Sequence, residues 1–298
     1  MANLSQIEEI RQFPLEIRLH PYLMDHRFEG NAVFPAVEAM QILAASTKSH
    51  FPEINTDIIL DASFDKFLFL KESQSIIEGF NEICVHQNRS IESRLVTRIK
   101  SRKLAISRQK EHVTISFQSN QTPETEFPLF ENLIQLEGEC FLISSRKVYQ
   151  ELVPFGPSYH NITDDLLISA KGVVANLSSP VCEAVAEPLG SPFPLDAAFH
   201  AACVWCQCFL GFIGFPVGFE KRTLFRQTIP GNHYIARIIP VTTTPELLVC
   251  DLWICDPEGN FFENIKGVRM RDVSAGRSKP PEWIMKIQSE GYGALKQS

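Results

Sequence analysis

The sequence predicts an α+β protein made of two units, each a helix set against antiparallel strands. Two observations carry this. Apolar segments opened by a proline occur twice, "FPAVEAMQILAASTKS" (34–49) and "PLDAAFHAACVWCQCFLGF" (194–212). Each is followed by runs of strand length that are rich in Val, Ile and Phe. The 298 residues, 44% of them hydrophobic, suffice for one large domain or two modest ones.

In chain order, Pro35 suits the first turn of a helix, and Val37, Met40, Gln41, Leu43 and Ala44 approximate one helical face. The runs "DIILDASFDKFLFL", "SQSIIEGFNEICVHQ", "SRLVTRIKSRK" and "EHVTISFQS" are the strands of the first unit, residues 1–119. The segment "NQTPETEFPLFENLIQLEGE" (120–139) is polar at its start and carries two prolines, so 120–150 is expected to be a linker with one helical turn. The second unit, 151–275, begins at the turn-rich "FGPSYHNI" (155–162) and continues with strand-like "DDLLISAKGVVANL" (164–177) and the Pro194 helix. Its later strands are "FPVGFEKRTLF", "HYIARIIPV", "ELLVCDLWICD" and "NFFENIKGVRMRDV". The tail, 276–298, is polar and expected at the periphery, with one short helix after Pro281. The halves share no clear sequence identity, so any repeat is architectural. Periodicity alone fits more than one α+β arrangement.

Composition narrows the function classes. No segment reaches the roughly 18 uninterrupted apolar residues that span a bilayer, and "MANLSQIEEIRQF" lacks a signal pattern. Eight cysteines without framework spacing point to reduced thiols in a cytoplasm. A formal net charge of −7 argues against a nucleic-acid binder.

The first candidate site residue is His26, in "HPYLMDHRFEGNAVFPAVEAMQ" (20–41). A histidine in a turn ordinarily serves its hydrogen bonds. Here Gly30 removes a Cβ where a ligand or a strained backbone could approach. The helix near Pro35 turns its unpaired N–H groups and positive dipole end towards the same loop. A base beside such donors is the layout needed to remove a proton next to a carbonyl. Asp196 is the second candidate. An acid in a helix's first turn complements the dipole, but Phe193, Leu195, Ala197, Ala198 and Phe199 surround this one. Desolvation there predicts a protonated carboxyl group able to donate at neutral pH. His200, four residues on, shares its helical face and either orients the acid or is an ordinary helix residue. Cys203, Cys206 and Cys208 lie in an apolar helix without a matching second pair, so no metal site is expected. Arg94, Arg98, Lys100 and Arg102 alternate along a strand with no acid from 94 to 110. That row reads as a solvated strand face or as a docking patch for an acidic partner.

These residues resemble the polyketide synthase dehydratase domains. "DHRFEGNAVFP" matches that family's H-x3-G-x4-P motif, "LDAAFH" its D-x3-Q/H motif, and "FGPSY" resembles its Y-G-P-x-F motif. "FPVGFEKRTLF" (215–225) resembles the stretch after the second helix, and "DPEGNFFENIKGVRMR" (256–271) the closing hairpin and strand. The motifs stand in the family's order across roughly residues 14–272. The resemblance implies a double hot-dog fold, two antiparallel sheets each wrapping a central helix. It also implies dehydration of a 3-hydroxyacyl thioester on an acyl carrier protein, without metal or nucleotide cofactor. His26 would remove the α-proton, Asp196 would protonate the departing β-hydroxyl, a backbone N–H near Gly30 would polarise the carbonyl, and His200 would hold Asp196. Pro35, Gly156 and Pro157 carry over as supporting positions. Phe155 stands where the motif has tyrosine, and Tyr159 is the nearby phenol.

The chain reads as a free-standing cytoplasmic monomer or homodimer. It would meet its carrier and the other polyketide or fatty acid synthase components in trans. Two other readings are a double-bond isomerase or product-template-like cyclase on the same fold, and a non-catalytic module that binds carriers or lipid chains. A base and an acid together favour dehydration over an isomerase that dispenses with the acid and over a binding module, and leave cyclisation open.

Overall fold

The computed structural model describes residues 7–100, 107–118, 126–182 and 187–287. In the first half, β1 (Ile7–Arg18) leads through a 3₁₀ turn (Pro21–Asp25) to the short strands β2 (Arg27–Phe28) and β3 (Asn31–Ala32). The first central helix (Ala36–His50) follows, then β4 (Ile58–Phe64), β5 (Ile76–His86), β6 (Ser90–Lys100) and β7 (Ser107–Gln118). A short helix (Phe130–Ile134) precedes β8 (Phe141–Ile143), β9 (Leu166–Ser169) and β10 (Gly172–Ser178). The second central helix (Phe193–Phe209) is followed by β11 (Phe215–Leu224), β12 (His233–Thr244), β13 (Leu247–Cys255) and β14 (Phe261–Arg271).

The two expected sheets are one. Twelve strands run in the order β1-β5-β6-β7-β4-β11-β14-β13-β12-β10-β9-β8, joined at the middle by the antiparallel pairing of β4 with β11. Closing that seam satisfies backbone groups that two separate sheets would leave on open edges. Each half still wraps its helix in the hot-dog manner: the first packs on β5, β6 and β7, the second on β10, β12 and β13.

Local chemistry explains the elements. In the second helix every residue from Phe193 to Cys208 is buried, which is why it reads as apolar all round instead of as a stripe. β13 alternates half-buried and buried positions along its first eight residues, as a strand with one core face must. The first helix is fastened to its sheet by a buried polar triad: Ser93 Oγ donates to Asn81 Oδ1 at 2.8 Å, Asn81 Nδ2 to Thr47 Oγ1 at 3.1 Å, and Thr47 Oγ1 to Ser93 Oγ at 3.0 Å. Gln41 clasps the halves together, accepting from Leu189 N at 2.9 Å and donating to Gly190 O at 3.0 Å.

Several boundaries differ from the sequence reading. The run 57–70 leaves the ladder after Phe64, because residues 64–69 turn aside to wall a cavity and Lys66 O takes a bond from His112 Nδ1 at 2.9 Å. The run 164–177 is a hairpin, β9–β10, instead of one strand. The tail is not peripheral where described: Ile284 and Ile287 are buried in the core, and Trp283 Nε1 donates to Glu151 at 2.6 Å. No helix of the described residues is long and apolar enough to cross a membrane.

Candidate active site

His26 caps the C-terminal end of the 3₁₀ turn, its N–H bonded to Leu23 O at 3.3 Å. Its Nδ1 lies 3.1 Å from the Val33 carbonyl. A carbonyl can only accept, so Nδ1 carries the ring proton and Nε2 presents its lone pair. That Nε2 stands 3.8 Å from Oδ1 of Asp196, which arrives in the first turn of the second central helix. His200, one helical turn on, brings Nε2 to 3.0 Å from Asp196 Oδ2, in ion-pair contact but out of line for a hydrogen bond. The three residues predicted as the centre are thus one cluster, His26 from the first half and Asp196 with His200 from the second.

The segment predicted as a supporting motif builds the ledge under His26. Asp25 Oδ2 accepts from Ser158 N at 3.0 Å and Ser158 Oγ at 2.6 Å, and Gly156 N donates to Asp25 O at 2.8 Å. A Cβ at Gly156 would collide with the Asp25 carboxylate, so only glycine allows this approach. Pro157 opens the 3₁₀ turn that follows. The Phe155 ring meets His26 at 4.4 Å and His200 at 4.9 Å between centroids, and the Tyr159 ring stands edge-on to His26 at 5.1 Å. Tyr159 is buried and is not part of the cavity wall, so its phenol does not take the place of the tyrosine that Phe155 replaces.

Two expectations are corrected. Gly30 is not beside the reacting groups. It is exposed at the tip of the β2–β3 hairpin, where Glu29 and Gly30 both have positive φ (46° and 78°), and a Cβ there would touch nothing within 4 Å. Its freedom serves a tight two-residue turn that returns Val33 to His26. Pro35 sits at the N-cap, and the helix proper begins at Ala36.

The protonation of Asp196 is also not the one burial alone predicts. Burial does push its carboxyl up, but the imidazoles of His200 and His26 pull it further the other way, so it lies below the usual carboxylate range. Burial lowers His26; Asp196 raises it in part, and His200 adds to the lowering. The ring should therefore titrate below the ordinary value near 6.5 when its Cε1–H resonance is followed by NMR; a midpoint at or above 6.5 would mean that the Asp196 charge outweighs burial. Between that lowered midpoint and about 6.5 the unfolded chain binds more protons, so acidification below about 6.5 withdraws stability at this residue.

The cluster opens on a cavity of about 460 Å³ whose walls include Phe34, Phe64, Phe67, Phe199 and Phe215. An apolar chamber with a few convergent polar groups is the usual form of a small-molecule site. At another point of its lining stand Lys66, Lys110 and His112, with Lys66 exposed.

The remaining candidates lie elsewhere. Arg94 and Arg98 are on the face of β6 opposite Leu95, which lines the cavity. Arg94 pairs with Glu92 and, at 3.5 Å, with Glu82, so this end of the row is neutralised by acids on its own and the adjacent strand. Arg98 covers the Phe80 ring at 4.1 Å and donates to Gln12 at 3.0 Å. Arg102 falls outside the described residues, and so does the side chain of Lys100. Cys206 and Cys208 are buried in the second helix with Cys203, whose thiol burial pushes up to about 12. The sequence reading did not single out Asp25, Ser158 or the Val33 carbonyl, because ordinary turn residues carry no signal until the turn is formed.

Residues 142–280 match the model of the polyketide synthase dehydratase N-terminal domain, a span that contains Asp196 and His200 but not His26. Solved structures share the fold across nearly the whole chain. The dehydratase domain of a mycocerosic acid synthase-like polyketide synthase superposes with a TM-score of 0.70 at 16% identity, over 92% of this chain and 94% of that one. A trans-AT polyketide synthase dehydratase domain from Brevibacillus brevis does so at 0.70 and 18% identity, over 90% and 96%. The dehydratase domain from the CurF module of curacin polyketide synthase gives 0.65 at 20% identity, over 90% and 96%. No curated protein matches. The chain is a double hot-dog protein with a histidine and an acid facing each other across its two halves. Over residues 142–280 it is similar to the polyketide synthase dehydratase N-terminal domain, and it has the fold of the solved dehydratase domains.

Proposed function

We propose that the protein removes water from a 3-hydroxyacyl thioester presented on an acyl carrier protein, leaving an enoyl thioester. The observation that supports this is the pairing of His26 Nε2 with Asp196 Oδ1 at 3.8 Å on the wall of an apolar cavity. An α-proton beside a thioester is weakly acidic, and a hydroxyl leaves poorly unless protonated, so the reaction needs a base and an acid within one substrate's reach.

His26, held neutral by burial and locked at Nδ1, takes the α-proton on Nε2. The electrons of the Cα–H bond become the double bond, and those of the Cβ–O bond depart with the hydroxyl, which receives a proton from Asp196 and leaves as water. The proton comes from Asp196 in its protonated form, which the two imidazoles make the minor one at neutral pH; the His200 ring stands against the same carboxyl, with Nε2 3.0 Å from Oδ2. After water leaves, the proton on His26 returns across the gap to Asp196, and the site is reset. Gly30 has no part in holding the thioester oxygen. Ala36, the first residue of the first central helix, lines the cavity, so the positive end of that helix stabilises the developing enolate.

The test is incubation with a panel of 3-hydroxyacyl pantetheine thioesters in deuterated buffer, followed by mass spectrometry. Loss of one water is the expected result. Deuterium uptake without water loss would replace dehydration with isomerase or cyclase chemistry. Binding without either change would leave a carrier-binding or chain-binding module.

A further inference from the structure

Next to the reacting pair lies a carboxyl group that the proposed chemistry does not use. Glu38, in the first turn of the first central helix, is only 5% exposed and does not line the cavity. Tyr22 OH donates to its Oε1 at 2.7 Å. Tyr22 belongs to the 3₁₀ turn that ends at His26, so this bond ties the base's own turn to the helix. The Tyr22 ring also packs on Phe193, at the start of the helix that carries Asp196, with centroids 5.7 Å apart. Tyr159 completes the cluster: its ring meets Tyr22 at 6.3 Å and His26 at 5.1 Å, and its hydroxyl is buried without a partner.

Glu38 therefore touches the turn of one reacting residue and, through Tyr22 and Phe193, the helix of the other. Burial pushes its carboxyl up to about 7; the Tyr22 hydrogen bond lowers it and the nearby charge of Asp196 raises it. Its charge accordingly changes across the neutral range. The titratable groups that act on it are Tyr22 from the first turn, Tyr159 from the second half and Asp196 on the second helix; behind them, His20 stacks on Tyr22, Cys182 acts on Tyr159, and His200 faces Asp196.

We propose that Glu38 is a positioning residue for the reacting pair: through Tyr22 it fixes the turn that presents His26, and its charge sets how firmly His26 and Asp196 hold their protons. The kinetic part rests on the dehydratase reading; the electrostatic part does not. When Glu38 is ionised, its negative charge favours protons on both neighbours; when it is protonated, that influence is gone.

The experiment compares the wild-type protein with E38Q and Y22F. E38Q keeps an acceptor for Tyr22 and removes the charge. The His26 resonance is expected to titrate lower, the direction in which loss of a negative charge moves an imidazole. The pH profile of kcat should also lose the ionisation near 7. Y22F leaves the carboxyl and removes the bond that lowers it, so that same ionisation should move to higher pH. In turnover, Y22F, which loses the bond that fixes the turn of His26, is expected to lower kcat about tenfold with KM nearly unchanged, since the cost is one of alignment. Should E38Q fail to fold, the Y22F profile carries the test. A His26 titration and a pH profile that superimpose on wild type in both variants would overturn the proposal. If wild type itself shows no turnover, the dehydratase reading fails while the NMR titration still decides the role of Glu38.

Discussion

Replacing His26 with alanine is expected to lower turnover of a 3-hydroxyacyl thioester by a factor of about 10²–10⁴, the usual range for a positioned general base. The size follows from the absence of a substitute. Of the other imidazoles on the cavity wall, His200 has Nε2 3.0 Å from the Asp196 carboxylate, and His112 has both ring nitrogens engaged, by Lys66 O and Thr97 Oγ1. Neither takes the place of His26 Nε2 opposite Asp196 Oδ1. The turn should survive the change, because Asp25 remains anchored to Gly156 and Ser158. Turnover within tenfold of wild type, in a protein that melts normally, would remove His26 from the mechanism.

Asp196→Asn separates the two halves of the reaction. Water loss should fall by a comparable factor, since an amide cannot supply the proton. Exchange of the α-proton with deuterated solvent should persist, because Nε2 of His26 keeps its lone pair. It should also slow, since the carboxylate charge that raises the His26 midpoint is gone. Dehydration at the wild-type rate in this variant would mean that Asp196 is not the acid, and complete loss of exchange would mean that His26 and Asp196 act as an inseparable pair.

How far the sequence reveals this arrangement depends on what each feature needs in order to be visible. The central helices are legible because two proline-opened apolar runs exceed strand length, and β13 because its burial alternates along the chain. β1 escapes notice: its charged and apolar residues, Ile7 and Ile10 among them, are mostly exposed on the sheet's edge, so they carry no core-facing signal. The candidate site is legible as a set of residue types in order, and the fold gathers His26, Asp196, His200 and Phe155 as that order implies. What stays hidden is relational. Whether a glycine serves a ligand or a hairpin depends on where the hairpin points, and Gly30 points to solvent. Whether a buried acid is protonated depends on which groups face it, and two imidazoles facing Asp196 reverse what its apolar neighbours suggest. Glu38 reads as an ordinary first-turn acid until Tyr22 is folded onto it.

The pairing of β4 with β11 has a consequence beyond joining two sheets. His26 and Asp196 are far apart along the chain, and the cavity between them is walled by the end of one seam strand, Phe64, and the beginning of the other, Phe215 to Val217. The spacing of base and acid is therefore a dimension of the seam, with Gln41 as its second fixed point. A substitution that slid Ile58–Phe64 against Phe215–Leu224 would shift the cavity walls on both sides without touching His26 or Asp196. Residues of those two strands thus bear on the reacting pair, though neither strand carries one of its members.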